Sequence, residues 1–255
     1  MIDRYINNKI NAIWNDQNRF DTWKLIQEKY VETLEELKIA EAGIAKKIRK
    51  AEISKEEVYK QEKVTNHDLA SFVDILQKKV GEGSNWVHYG LTSSDIVDSA
   101  NSLLIIQSIE VAQELILNLL KELKLKAIKN KDTKIIGRTH GVYAEETFLG
   151  NIFGNWYLEI KRSLDRLERA KVSIAYGKLS GPVGNHTVVT EEMEEITLEK
   201  LGLKPEIFAS QIVSRDRYAE VFTSLSILAS TYERISTNLR SYQRSEISEM
   251  YEPFK

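Results

Sequence analysis

The spacing of apolar positions predicts a chain made almost entirely of helices. Residues 24–52 are rich in Glu, Lys, Ala and Leu, strong helix formers, and are predicted as one helix. Ser54, with Glu57 three residues on, has the capping-box pattern and starts a short second helix. Asn66 or Asp68 starts a third, which carries Leu69, Phe72, Val73 and Leu76 on one face and ends at Gly81 and Gly83. A long helix is expected from residue 95 to about 129, and another from about 145 to 174. Gly177, Gly181, Pro182 and Gly184 interrupt the pattern and make a loop, after which 191–201 is again helical.

The last helix is the most regular. Val221, Leu225, Leu228, Tyr232, Ile235, Leu239 and Tyr242 alternate spacings of four and three, a heptad-like seam that packs along other long helices. Helices of about thirty residues span roughly 45 Å. Rods of that length with apolar seams suggest a bundle shared between subunits. No strand pattern and no internal repeat stands out. The fold class is therefore all-α, with an N-terminal helical cap over 1–94 and long helices of an incomplete multi-helix bundle over 95–255.

Composition narrows the function classes. Hydrophobic residues make up 42% of the 255, enough for a sizeable core, and charged residues 29%. A net charge of −2 makes no field strong enough to attract nucleic acid or a membrane surface. Anionic ligands must be held by local constellations. The absence of cysteine excludes disulfides and thiolate metal sites. The first residues lack the apolar stretch of a signal peptide. No run approaches the roughly 20 apolar residues of a membrane span, so a cytoplasmic protein is expected. Only three prolines occur, Pro182, Pro205 and Pro253, so the first 181 residues can run long helices uninterrupted.

Candidate chemistry gathers around three of the four histidines. His67 is followed by Asp68 at a helix start, His88 lies in Trp-Val-His-Tyr-Gly-Leu-Thr-Ser-Ser-Asp (86–95), and His140 lies in Gly-Arg-Thr-His-Gly (137–141). Gly137 and Gly141 would let backbone approach a ligand, and Arg138 and Thr139 can supply anion contacts. His186, in a glycine loop without polar neighbours in sequence, has the ordinary structural reading. No two histidines have metal-ligand spacing, so neither a metal nor a cofactor is expected. The run Thr92 to Asp95 fits an N-cap, and equally an anion site built on free amides at a helix start. Arg4 beside Tyr5 could clamp a phosphate and a ring. Gln211 and the run Ser214-Arg215-Asp216-Arg217 read as capping plus a surface ion pair.

Together these runs resemble the adenylosuccinate lyases of the aspartase/fumarase superfamily. The pieces occur in the family's order: Arg4-Tyr5, Asn66-His67-Asp68, WVHYGLTSSDIVDSA (86–100), GRTHGVYAEE (137–146), GKLSGPVGN (177–185), QIVSRDR (211–217) and QRSEISEMYEPF (243–254). Glycine after His140, with HYGLTSSD, points to this branch, because related lyases typically place leucine there.

The resemblance implies elimination of fumarate from adenylosuccinate, giving AMP, and from the succinylated aminoimidazole carboxamide ribotide. It implies His140 as the acid, with His67 orienting or charging it. Thr92 and Ser93 would hold the succinyl carboxylate, His88 and Gln211 would contact substrate, and Arg4 and Tyr5 would hold the nucleotide. Asn66 and Asp68, which flank His67, join the candidate binding residues. A homotetramer is implied, with active sites assembled from several subunits. Two departures touch the nucleotide pocket: Ile6-Asn7-Asn8 and Glu146 stand where the family has proline-containing sequence. The family's serine base lies on a Gly- and Ser-rich loop beyond the point matching Lys255. The chain is therefore expected to be a fragment of a lyase, inactive alone. The alternative is a non-catalytic assembly or nucleotide-binding relative.

Overall fold

A computed structural model describes residues 3–252. Pro253 and Phe254, at the end of the last motif, lie outside the described residues. The helices are α1 (Asn8–Ile13), α2 (Asp16–Glu36), α3 (Ile44–Lys50), α4 (Lys55–Thr65), α5 (Asp68–Val80), α6 (Ser93–Lys129), α7 (Leu149–Ile174), α8 (Glu191–Lys200) and α9 (Arg215–Tyr242). Two strands, β1 (Lys134–Thr139) and β2 (Val142–Phe148), form an antiparallel hairpin. The two-residue strands β3 (Tyr176–Gly177) and β4 (Lys204–Pro205) pair in parallel. The predominantly α-helical class predicted from the sequence holds.

Contacts divide the chain into two compact units: Met1–Ser108 with Ser173–Asp216, and Ile109–Val172 with Arg217–Lys255. This spatial grouping is a different partition from a cut along the sequence at 94/95, because α6, α7 and α9 each run from one unit into the other.

The first unit is built around α2 and α5. Phe72 of α5 is fully buried. Its ring stacks on Phe20 at 6.1 Å and meets Trp23 edge-on at 5.6 Å. Leu69 and Leu76 are buried beside it and Val73 is partly buried, so the face predicted for this helix is the one that packs. α5 begins at a His67 N-cap, and the α4 capping box of Ser54 and Glu57 is present as expected.

Two helix boundaries differ from the sequence reading. The single helix expected over 24–52 is two. α2 ends where Lys38 takes a left-handed conformation (φ 59°), and Leu34 O then accepts from both Ile39 N and Ala40 N. Glu35 then caps α3 through Ala45 N at 2.7 Å. Helix-forming composition cannot reveal such a turn; the gain comes from burying Ile44 and Ile48 in the core. The helix expected from about 145 begins at Leu149, because 142–148 pair as β2.

In the second unit, α9 buries Val221, Ser224, Leu228 and Thr231. The buried line thus includes two small polar residues in place of Leu225 and Tyr232, and Tyr232 is exposed. Arg234 of α9 is ion-paired with Glu159 of α7. α6 corrects another expectation: by length and composition it is apolar enough to cross a membrane. Its polar residues interrupt every consecutive apolar run, which hid this in a count of runs. Ile96, Ala100, Leu104 and Ile109 of this helix are buried within protein.

Because Phe72 anchors the helix that presents His67, Phe72→Ala should cost about 3–5 kcal/mol, read as a lower urea midpoint.

Candidate active site

In the first unit, three sequence motifs meet at the start of α6. His67 has its backbone pinned: its carbonyl accepts from Ser71 Oγ at 2.8 Å and Thr65 Oγ1 at 3.0 Å. Its Nδ1 accepts from Ala70 N at 3.4 Å, as an N-cap. The same Nδ1 lies 3.4 Å from Asp68 Oδ1. His67 Nε2 faces Ser93 Oγ at 3.3 Å. Ser93 is the first residue of a 37-residue helix, whose dipole gives this end a partial positive charge, and Asp95 in its first turn already accepts Thr92 N.

His88 stands next to this group with a left-handed backbone (φ 62°). Its backbone N–H donates to Gln27 Oε1 at 3.0 Å, and its Nδ1 lies 2.9 Å from Gln27 Nε2. Burial, and then the charge of His67, depress its pKa to about 4.

A buried ion pair underlies the start of α6. Asp95 and Lys178 are both fully buried, and their side chains are in direct contact. Asp95 Oδ2 accepts Thr92 N at 2.8 Å, while Lys178 Nζ also donates to Gly181 O at 2.9 Å. Burial raises the Asp95 carboxyl above its usual range against the pull of Lys178. One turn on, buried Asp98 accepts Val213 N at 2.9 Å and Arg215 Nη2 at 3.0 Å. Arg215 of the expected surface run is itself exposed but pairs with this buried carboxylate, which ties the segment carrying Gln211 to α6. Gln211 itself is exposed.

Of the remaining candidates of this unit, Asp68 stays beside His67, its Oδ1 3.4 Å from His67 Nδ1, and the others are placed apart. Asn66 is the left-handed C-cap of α4 (φ 53°), and Asp68 Oδ1 accepts Leu69 N. The Arg4 guanidinium lies over the Tyr5 ring at 4.9 Å, and both residues are exposed. His186, given no polar neighbours by its sequence context, has them in space. Its Nδ1 is 3.0 Å from Val189 O and its Nε2 is 3.7 Å from buried Glu194, whose pKa burial raises.

In the second unit, His140 forms the tip of the β1–β2 hairpin. Thr139 pairs with Val142 across a two-residue turn in which His140 (φ 54°) and Gly141 (φ 78°) both have positive φ. That is the geometry of a type I′ turn, which suits the twist of a hairpin and favours glycine at its second position. The turn holds the His140 side chain in an exposed position. Gly137 sits at an irregularity in the pairing, where an added Cβ would meet Glu145 O at 2.9 Å. The close approach expected of Gly137 toward a ligand is thus an approach between strands. Arg138 forks onto Glu249 with bonds of 2.8 and 3.1 Å and lies 5.2 Å from the Tyr143 ring. These partners occupy the cation that could have met an anion.

Known proteins carry the same pattern. A sequence profile described as lyase matches residues 7–254. The chain belongs to this lyase family. It is 40% identical over 256 residues to an adenylosuccinate lyase from Thermotoga maritima, with 100% of this chain and 59% of that protein covered. The adenylosuccinate lyases of Aquifex aeolicus and Bacillus subtilis are 38% and 36% identical, again over 100% of this chain and 59% of each relative. The chain therefore spans about three-fifths of the length of these relatives. Among solved structures, a beta-carboxy-cis,cis-muconate cycloisomerase from Acinetobacter calcoaceticus superposes with a TM-score of 0.90 at 20% identity, covering 97% of this chain and 60% of that one. A fumarate lyase from Mesorhizobium superposes at 0.87 and 20% identity, covering 94% and 58%. At that identity the likeness concerns the fold.

In this member of the lyase family the structure brings His67 onto Ser93, with His88 close enough to be repelled by His67. Three residues of this neighbourhood escaped sequence reasoning: Gln27, Lys178 and, as an ion-pair partner, Asp95. Gln27 and Lys178 lie 61 and 83 positions from their partners, beyond any local motif. The hairpin could have been found from His140-Gly141 standing between Ile135-Ile136 and Val142-Tyr143, a turn dipeptide between β-formers.

Lys178→Met leaves Asp95 buried without its partner and should lower stability by about 3–5 kcal/mol in urea unfolding. The contribution of His88 to stability has the opposite pH dependence from that of a salt-bridged histidine. Its folded pKa of about 4 lies below the ordinary value of about 6.5, so between these values the unfolded chain binds more protons. Its contribution is full above the upper value and is lost as pH falls to the lower. Urea midpoints at pH 7.5 and 4.5 should therefore fall less on acidification in His88→Asn than in the unaltered chain.

Proposed function

We propose that this chain is the greater part of an adenylosuccinate lyase. The reaction is a β-elimination: a base removes the proton beside a succinyl carboxylate, the carbon–nitrogen bond breaks, and fumarate leaves. The departing nitrogen takes a proton, giving AMP, or the aminoimidazole carboxamide ribotide from the second purine substrate. His140 is the acid in this reading. A histidine suits the role because its pKa lies near neutrality.

The observation that carries the reading is the convergence of His67, Ser93 and His88 at the N-terminus of α6. Thr92 and Ser93 would hold the succinyl carboxylate, with helix amides stabilising the negative charge that builds on it as the carbon is deprotonated. His67 would orient or charge the acid, with Asn66 and Asp68 beside it. His88 and Gln211 would contact substrate, and Arg4 and Tyr5 the nucleotide. The identity to adenylosuccinate lyases over the full chain supports the assignment.

The general base belongs to the part of the relatives' length that this chain does not span. A cytoplasmic homotetramer completes the reading. The exposure of Leu115, Leu117, Leu125 and Ile128 on α6, Leu158 on α7 and Phe222 on α9 supports association between subunits, since apolar surface of this kind marks an interaction site.

Loss of adenylosuccinate absorbance tests the reaction. The 255-residue chain alone should give no turnover, and a version extended to the relatives' full length should give it. In the extended enzyme His140→Ala should lower kcat by about two to four orders of magnitude with circular dichroism unchanged. Full activity in that variant would remove His140 from the chemistry, and an inactive extended enzyme would favour a non-catalytic relative.

A further inference from the structure

Gln27 makes two hydrogen bonds to the same residue from the interior of α2. Its side chain is fully buried, so every polar atom of its amide must find a partner. The backbone N–H of His88 can only donate, and the atom of Gln27 facing it at 3.0 Å is therefore the carbonyl oxygen Oε1. The other end of the same amide is then an NH2 group, and it faces His88 Nδ1 at 2.9 Å. An NH2 group can only donate as well. Nδ1 must consequently be the bare, accepting nitrogen of a neutral ring, and the ring proton must sit on Nε2.

No side chain or carbonyl among the described residues takes up that Nε2 proton. The surroundings also oppose a second ring proton, because the side chain is largely buried and His67 lies nearby. The same pair of bonds braces the left-handed backbone at His88 (φ 62°), a conformation uncommon for residues other than glycine. The next residue is fixed to α2 as well: Tyr89 O accepts from buried Tyr30 OH at 2.9 Å. One turn apart on α2, Gln27 and Tyr30 thus grip successive residues of the motif.

We propose that Gln27 is a positioning residue that locks His88 as a neutral imidazole with its proton on Nε2, making His88 an uncharged hydrogen-bond donor toward an anionic substrate oxygen. The direction of that donor rests on the proposed function; the lock itself does not. It divides the labour at the start of α6. His88 offers a directed N–H without bringing a positive charge close to His67, and it takes no proton from the substrate.

The test is the protonation state of the His88 ring in the 255-residue chain, read from the long-range nitrogen–proton correlations of 15N-histidine at pH 7. Nδ1 should show the shift of a bare nitrogen and Nε2 that of a protonated one. The reverse pattern, or an imidazolium, would overturn the proposal without touching the lyase assignment. Gln27→Glu keeps the size of the side chain and replaces its donor with an acceptor, so it should bring a proton onto Nδ1. Gln27→Met removes both bonds and should give a mixture of tautomers. An unchanged Nε2-proton signature in either folded variant means that Gln27 does not set the state. Should Gln27→Glu fail to fold, the unaltered chain and Gln27→Met decide the matter. A purely structural glutamine would lower the melting temperature in both variants and leave the ring tautomer as it was. In the extended enzyme, Gln27→Glu should raise KM for adenylosuccinate at least tenfold more than Gln27→Met does, because a carboxylate in that place also repels the substrate's charge.

Discussion

The buried pair of Asp95 and Lys178 is the interaction around which the candidate carboxylate site is organised. Two charges taken out of water cost several kcal/mol each unless they meet one another and further polar groups. Here they do both. Asp95 receives the amide of Thr92, and Lys178 gives a further proton to the carbonyl of Gly181. The pair therefore sets the start of α6 and the glycine loop at 177–181 in one arrangement. Hydrophobic residues of the same volume would fill the space as well, but they would not specify which amide faces which carboxylate.

On that frame the polar groups at the start of α6 divide by charge and by proton direction. The first turn carries the positive end of the helix dipole and the Ser93 hydroxyl. His67 is half exposed and makes its contact to Ser93 through Nε2. His88 is held neutral by burial and by its neighbour. Two neighbouring histidines thus differ in exposure and in partners because their surroundings differ. Asp98 adds a further tie one turn along, bringing the 211–215 segment to the same helix.

The second unit solves a different problem with the same economy. A hairpin tip is a poor place to hold a side chain unless the turn itself is rigid. The positive φ at both His140 and Gly141 gives a turn that matches strand twist, and the fork of Arg138 on Glu249 secures the strand just before it. Glycine and histidine in that run act first on backbone shape, and the exposure of the imidazole follows from it.

Much of this was legible along the chain. Helical periodicity, the Ser54 capping box, the apolar face of α5 and the proline-free first 181 residues depend on neighbours three or four positions apart, and local order preserves them. The motif residues His67, His88, Ser93 and His140 were recognisable because each sits in a short and distinctive run. The hairpin at 134–148 was legible in its turn dipeptide between β-formers and was overlooked, and the break at Lys38 rests on contacts within about ten residues. The buried line of α9 through Ser224 and Thr231, the Gln27 grip on His88 and the partnership of Asp95 with Lys178 were decided only by tertiary structure, because they depend on groups far apart in sequence that burial brings together. A carboxylate, a lysine or a glutamine looks like surface in a sequence, and only the loss of water around it makes its partner obligatory.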